Sequence, residues 1–326
     1  MARVRPARKA PSYRLAIEQG TGYEALLGLS MFTGDEAEES YEVGKAWFVQ
    51  ARRAASKELT TAVRSLLGDD GQRWFNLLGL AHEAGDEHSV EAVLRRLRQR
   101  SAAEVHRAMS GERKPAGRRE PDDAPAIRRL TKLGAETVKR LTVEIVTRWA
   151  EEVMRPLGTA DVQLAADAAA KQRLARRTPA ARVIELATGG VVYEGEAGID
   201  EVVLVPSIVT RPWVTFSEWD TVKIICYPAE SAVVSGDGTD HRLAAIYRAL
   251  GDETRLRLLR ELSGGDRRLT ELAETLGLAK STIHGHLGAL RSAGLIRVNV
   301  GADKRYGLRP GLPDLNRLLK EYLAPH

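Results

Sequence analysis

Apolar residues recur at helical spacing through most of the first 180 residues and then give way to short β-type runs. A stripe from Ile127 through Leu141 to Val153 predicts one long amphipathic helix over 126–154. The same periodicity predicts helices over 41–67, 71–84, 88–109 and 161–176. Short apolar runs then predict strands over 182–187, 191–196, 201–206, 213–217 and 221–228, with Thr188-Gly189-Gly190 joining the first two as a hairpin.

A second helical pattern occupies the last quarter of the chain. Leu269, Leu272, Ala273 and Leu276 follow i, i+3, i+4, i+7 spacing, which predicts a short helix with one buried face and Thr270 as its N-cap. Gly277 then marks a helix end, because glycine adopts the left-handed backbone conformation without steric cost. A further helix follows, and its buried positions are Ile283, Leu287 and Leu290. Two short helices around a glycine turn are typical of a helix-turn-helix.

The residues after the second helix complete this pattern. Gly294 predicts a helix end, and residues 295–300 suit a strand. Residues 301–304 carry turn signals, and residues 305–308 can return as the partner strand. The sequence therefore predicts a winged helix-turn-helix.

These patterns predict an α+β protein with two domains. The first, residues 1–235, would be mainly helical with a small β-rich part. A Gly-rich linker at 235–239 would lead into a winged helix-turn-helix over 241–326. We expect the first domain to serve effector sensing, dimerisation or both. Its tryptophans could line a ligand pocket, although filling the core is the favoured interpretation.

The candidate DNA-binding residues lie at the start of the second helix and on the wing. Lys280, Ser281, Thr282 and His284 occupy the first turns of that helix, which contact base edges in the major groove in this architecture. The alternative is an ordinary solvated helix start that Ser281 caps. Lys304 and Arg305 near the hairpin tip would bind the flanking phosphate backbone.

The charge distribution favours the same function. Residues 241–326 contain 15 Lys and Arg against 9 Asp and Glu, whereas the whole chain contains 49 against 44. The first 240 residues therefore carry 34 against 35, and all of the positive excess lies in the last quarter. Clustered basic residues are what binding to DNA phosphates requires.

The last quarter resembles winged-helix repressors of the ArsR family. The matching residues are the run 249–259 (ALGDETRLRLL), Leu272-Ala273, Leu276-Gly277-Leu278, Ser281-Thr282-Ile283, His286-Leu287 and the run 290–296 (LRSAGLI). The resemblance covers about a quarter of the chain. It implies a homodimer that binds a palindromic operator in double-stranded DNA and represses transcription until an effector releases it. It also implies that the first helix of the module and the terminal helix help to form the dimer.

The departures from that family bear on metal sensing and on the second helix. Where metal-sensing members carry a Cys-x-Cys cluster, this chain has residues 267–271 (RRLTE), and Asp314, Glu321 and His326 show no clear two-histidine spacing near the C-terminus. We therefore predict no metal site and no cofactor. Gly285 stands where many relatives have a histidine, which suggests close approach to DNA or to the preceding helix. His286 is expected to be a structural residue.

Composition and motifs limit the remaining functions. No apolar run reaches the length of a membrane span, and the single cysteine, Cys226, excludes an intramolecular disulfide framework. We therefore expect a cytoplasmic protein without a membrane partner. The sequence contains no phosphate-binding loop, no Gly-x-Ser-x-Gly and no metalloprotease motif, so we predict a regulator rather than an enzyme. Two alternatives remain, namely an enzyme that carries a DNA-binding tail and an adaptor whose winged helix binds protein.

Overall fold

The computed structural model describes residues 13–34, 38, 41–68, 70–112, 125–158, 161–230, 241–300, 304–309 and 315–323. The predicted linker at 235–239 and the wing residues 301–303 lie outside these ranges. Within the described part, helices dominate and two small sheets are present, which confirms the α+β class.

The first part of the chain is a strand followed by a helical layer. The strand is β1 (Arg14–Ile17). The helices are α1 (Thr21–Thr33), α2 (Gly44–Ala54), α3 (Lys57–Leu67), α4 (Leu78–His82), α5 (Val90–Gln99), α6 (Ala102–Met109), α7 (Pro125–Leu133), α8 (Ala135–Arg148) and α9 (Arg155–Leu157), with 3-10 turns at Gly71–Leu77 and Gly85–Glu87 and a π-helical stretch at Trp149–Met154. The single helix predicted over 126–154 is wrong, because Gly134, with φ +75°, separates α7 from α8.

Two more helices and the remaining strands complete this unit. These elements are α10 (Asp161–Ala175), α11 (Ala180–Ala187), β2 (Val191–Tyr193), β3 (Glu201–Ser207), β4 (Thr215–Trp219) and β5 (Val222–Pro228). The predicted strand over 182–187 is therefore wrong, since these residues form α11, and no hairpin joins them to β2. Val183, Ile184 and Ala187 are its buried residues, and their i, i+1, i+4 spacing suits a helix face.

The larger sheet has the order β1-β3-β5-β4, with β1, β3 and β5 parallel and β4 antiparallel to β5. Val203 and Val205 pack on the helical layer that contains α1, whereas Val202 and Leu204 pack with α11. Both faces of this sheet are thus covered, which explains why β3 and β5 read as continuous apolar runs. Trp74, Trp149 and Trp219 are buried in the helical layer, as expected for core residues.

The last part of the chain forms α12 (His241–Leu250), α13 (Glu253–Ser263), α14 (Leu269–Leu276), α15 (Lys280–Ser292), β6 (Ile296–Val300), β7 (Arg305–Leu308) and α16 (Leu315–Leu323). β6 pairs antiparallel with β7 and parallel with β2, which comes from the preceding part of the chain. The second sheet therefore has the order β2-β6-β7 and joins the two parts. The division after residue 240 stays a prediction, and this sheet crosses it.

Candidate nucleic-acid interface

Helices α14 and α15 form the predicted helix-turn-helix. Gly277 ends α14 in the left-handed conformation, with φ +68° and ψ 31°, and the Leu278 amide donates to the Ala273 carbonyl at 3.1 Å. Leu278 is half-buried against the core of the module, as expected for a residue inside the angle between two helices. Thr270 is not the N-cap, because α14 begins at Leu269 and the Arg268 amide donates to the Glu271 carboxylate at 2.9 Å.

The first turn of α15 presents three polar side chains to solvent. The helix begins at Lys280 and buries Ile283, Leu287 and Leu290, so that Lys280, Ser281 and Thr282 are exposed. No side chain caps this helix, and the interpretation of Ser281 as an N-cap is therefore wrong. The uncapped amides of a helix start carry partial positive charge, which favours a phosphate or another acceptor nearby.

His284 does not join this exposed group. It is half-buried, and its ring stacks on the Trp213 indole with centroids 5.4 Å apart and planes 8° from parallel. Burial, followed by the nearby charges of Lys304 and Arg291, lowers the pKa of His284. His284, which the sequence assigned to the major groove, therefore contacts Trp213 inside the protein instead of standing free at the surface.

The two wing residues make contacts within the protein that the sequence did not predict, and Lys304 nevertheless remains an exposed residue. The Lys304 ammonium lies 5.9 Å from the centroid of Phe216 and 5.7 Å from that of Tyr306, so it faces the β4 region rather than projecting alone from a hairpin tip. Burial of the ammonium, and then the charge of Arg291, lowers the pKa of Lys304. Arg305 is half-buried, and its Nη1 lies 3.5 Å from the Asp266 carbonyl.

The sequence analysis did not identify Arg291, whose side chain connects α15 to the preceding part of the chain by hydrogen bonds. The side chain is 6 % exposed, and it donates to the carbonyls of Thr188 at 3.0 Å and Pro212 at 3.1 Å. The Ser292 hydroxyl also donates to the Pro212 carbonyl, at 3.2 Å. Burial lowers the pKa of Arg291 to about 10.

A glycine on α15, Gly288, allows the Trp213 ring to pack closely against this helix. A Cβ on Gly288 would lie 2.1 Å from the Trp213 ring, a separation that no packed structure allows. A glycine on the buried side of a helix was the sequence signal for this close approach, but it did not identify Trp213 as the partner. At Gly285, in contrast, an added Cβ meets nothing within 4 Å, so contact with the preceding helix does not explain that glycine.

His286 is half-buried with its Nδ1 3.6 Å from the Asp252 carboxylate, consistent with a structural role.

No candidate metal site is present among the described residues near α15 or elsewhere. No group of three or more His, Cys, Asp or Glu in the described ranges is arranged to hold a metal ion. Cys226 is buried in β5, where burial raises its pKa to about 12. Asp314 and His326 lie outside the described residues. None of the described helices is long and apolar enough to cross a membrane.

Two solved structures from Mycobacterium bovis are similar to part of this chain. One is the crystal structure of a possible transcriptional regulatory protein (fragment 1–100), which is 28% identical with a TM-score of 0.21 and covers 24% of this chain and 85% of that chain. The other is the solution structure of a homodimeric winged helix-turn-helix DNA-binding domain, described as a possible ArsR-family transcriptional regulator. It is 25% identical with a TM-score of 0.23, and the match covers 30% of this chain and 95% of that chain.

No curated protein matches the chain. The model of the bacterial regulatory protein arsR family matches residues 252–298, which run from the start of α13 through α14 and α15 into β6. The resemblance read from the sequence is therefore confirmed for residues 252–298, which match the ArsR family model and include the helix-turn-helix of this structure.

Proposed function

We propose that the protein is a sequence-specific regulator of transcription that binds double-stranded DNA through α15 and acts as a repressor. The observation that carries the proposal is the exposed first turn of α15, where Lys280, Ser281 and Thr282 stand at the start of the second helix of the motif. Short hydroxyl side chains there let the helix approach the groove and bond to bases or phosphates. The positive excess of residues 241–326 supports the same partner.

We propose a homodimer as the DNA-binding species. Helices α12, α13 and α16 expose large apolar side chains, namely Tyr247 at 42%, Leu256 at 49%, Tyr322 at 44% and Leu323 at 68%. Exposed apolar side chains on neighbouring elements favour an interface between chains, and α12 contacts α16 directly. A two-fold dimer would present two copies of α15 to half-sites one helical turn of DNA apart.

The role proposed for the preceding domain is to sense an effector and to transmit its state to α15. Trp213, Thr188 and Pro212 all come from that domain, and all contact α15 residues. A change in the position of the Trp213 segment would therefore act directly on the helix proposed to bind DNA. We propose no catalytic activity for this domain.

Selection of bound fragments from genomic DNA by the purified full-length protein tests the proposal. We expect recovered fragments to share an inverted repeat whose half-sites are about 10 base pairs apart from centre to centre. Binding should weaken steeply as salt concentration rises, since phosphate contacts release counterions. Recovery of fragments without a common sequence, or failure to retain any fragment at low salt, would contradict the assignment.

A further inference from the structure

A small cavity lies where α15, the wing and the preceding domain meet. Its polar walls are formed by His284 and Arg291 of α15, Lys304 and Tyr306 of the wing, and Trp213, with Phe216 of β4 beside them. The cavity measures about 30 Å³. That volume accommodates a monatomic ion or a group of two or three heavy atoms, since one water needs roughly 10–15 Å³ by this measure.

Valines and Leu287 form the apolar part of the cavity lining, and its charged side chains, Arg291 and Lys304, are both cations. No carboxylate lines it among the described residues. The Trp213 indole N–H, a donor without acceptor capacity, is buried and has no hydrogen-bond partner in the described part of the chain. A buried donor of this kind is costly unless an acceptor occupies the adjacent space.

Arg291 brings a full positive charge to the same place. Its two hydrogen-bond partners, the carbonyls of Thr188 and Pro212, are neutral, and no carboxylate of the described residues forms an ion pair with it. Thr188 follows the last turn of α11, so the dipole of that helix offsets part of the charge. The remainder stays uncompensated in a buried position, which is unfavourable unless an anion lies nearby.

Lys304, an exposed residue that also lines the cavity, adds a second cation, and the nearest carboxylates form ion pairs with Lys223 instead. The charges of Arg291 and Lys223 both act on Lys304 and lower its pKa, after burial, the largest cause. Lys223 is itself held by Glu196 at 3.1 Å and by Glu218 at 2.6 Å. The carboxylates of this region therefore neutralise Lys223, whereas Arg291 and Lys304 face the cavity without an acidic partner among the described residues.

We propose that this cavity binds a small monovalent anion, either a halide or a carboxylate the size of formate. The anion would accept from Arg291, Lys304 and the Trp213 indole, and it would link α15 and the wing to the preceding domain. This site does not depend on the proposed function in DNA binding. If that function also holds, the anion would occupy the junction between the sensing domain and α15.

Thermal unfolding of the full-length protein at constant ionic strength tests the proposal. Chloride, bromide or formate would replace gluconate, which is too large for the cavity. At one hundred times the dissociation constant, a bound anion shifts the folding equilibrium about 100-fold, so the midpoint should rise on the order of 5 °C. Because chloride and formate are tested separately, the two arms show whether the site takes a halide or a carboxylate.

Two variants keep the result interpretable. In Arg291→Met and in Lys304→Met, the rise on exchange of gluconate for chloride or formate should fall to less than about 1 °C. Lys304→Met keeps the Arg291 bonds to Thr188 and Pro212 and so remains informative if Arg291→Met fails to fold. A bromide-soaked crystal should show an anomalous peak between Arg291 and Lys304. Equal midpoint shifts in the wild type and both variants, or no shift in the wild type, would overturn the proposal.

Discussion

At the scale of single residues, local sequence pattern determines the exposure of some side chains, whereas contacts with distant parts of the chain determine the positions of others. The exposure of Lys280, Ser281 and Thr282 follows from the helical spacing of Ile283 and Leu287, and the sequence was sufficient to predict it. The ring of His284 stacks on Trp213, which lies about 70 residues earlier in the chain, and no spacing rule contains that information. The contact of Lys304 with Phe216 is hidden from the sequence for the same reason, because Phe216 lies in β4.

Thr282→Asp should abolish or strongly reduce operator binding. The carboxylate would stand at the exposed start of α15, where it repels phosphates and removes a hydroxyl donor from the groove. We expect a loss of affinity of about 10- to 100-fold, the range for one lost base contact. Fluorescence anisotropy with the selected operator measures this change.

Thr61→Asp provides the matched control for that variant. Thr61 is also exposed on a helix, α3, and carries the same change in charge far from α15 in the chain. Its operator affinity should equal that of the wild type. Equal losses in both variants would attribute the effect to net charge and would contradict the assignment of α15.

Glu24 on α1 provides a pH-dependent prediction. It is buried and accepts from the amides of Ile208 at 2.8 Å and Val209 at 3.3 Å, yet burial outweighs these bonds and raises its pKa to about 7. The folded state therefore binds a proton that the unfolded state has released between pH 4.5 and 7. Across this window the contribution of Glu24 to the free energy of unfolding should fall by about 3 kcal/mol as pH rises.

Glu24→Gln should remove this decrease, because the amide retains an acceptor but does not titrate. Urea unfolding at several pH values measures the free energy of unfolding of wild type and variant. Their difference should change by about 3 kcal/mol between pH 4.5 and 7 in favour of the variant. Glu112→Gln, an exposed control, should leave the wild-type profile unaltered, and a constant difference for Glu24→Gln would show that Glu24 does not titrate in this range.

At the scale of elements, α15 has two distinct surfaces, an exposed polar first turn and a face that packs on the preceding part of the chain. Its first turn exposes polar residues, whereas Gly288, Arg291 and Ser292 contact the segment around Pro212 and Trp213. Periodicity predicted the helix and its buried stripe but not the second contact surface. Periodicity also failed for residues 182–187, because a run of six residues with four apolar positions fits a strand and a helix about equally well.

The two glycines of α15 should respond in opposite directions to alanine. Gly288→Ala places a Cβ against the Trp213 ring, and we expect a loss in the free energy of unfolding of about 1–3 kcal/mol. Gly285→Ala enters open space and removes a flexible residue from a helix, so a gain of up to about 1 kcal/mol is expected. Urea unfolding of both variants gives the comparison.

Trp213→Ala identifies the cause of the Gly288 effect. With the indole removed, the added Cβ has no partner to displace, and Gly288→Ala should cost little or nothing in that background. An undiminished cost in the double variant would mean that Trp213 does not pack on α15.

At the scale of the whole molecule, the winged helix is built into the rest of the protein. Its family resemblance and its charge were visible in the sequence, because both are properties of contiguous residues. The pairing of β2 with β6 was not, since it joins strands far apart in the chain and β2 has only three residues. A domain boundary drawn from linker composition alone therefore misses the shared sheet.

Hydrogen exchange in the isolated fragment 241–326 distinguishes a shared sheet from an independent module. In the whole chain the Val298 amide donates to the Gly190 carbonyl at 2.7 Å, whereas the Tyr306 amide donates to the Arg267 carbonyl, also at 2.7 Å. The fragment lacks Gly190 but contains Arg267. Protection of the Val298 amide should therefore fall at least about tenfold more than protection of the Tyr306 amide. Both amides share any global loss of stability, so their ratio isolates the contribution of β2. An unchanged ratio between fragment and whole chain would mean that the module keeps its β6 edge protected without β2, and the boundary at residue 241 would then describe the folding unit.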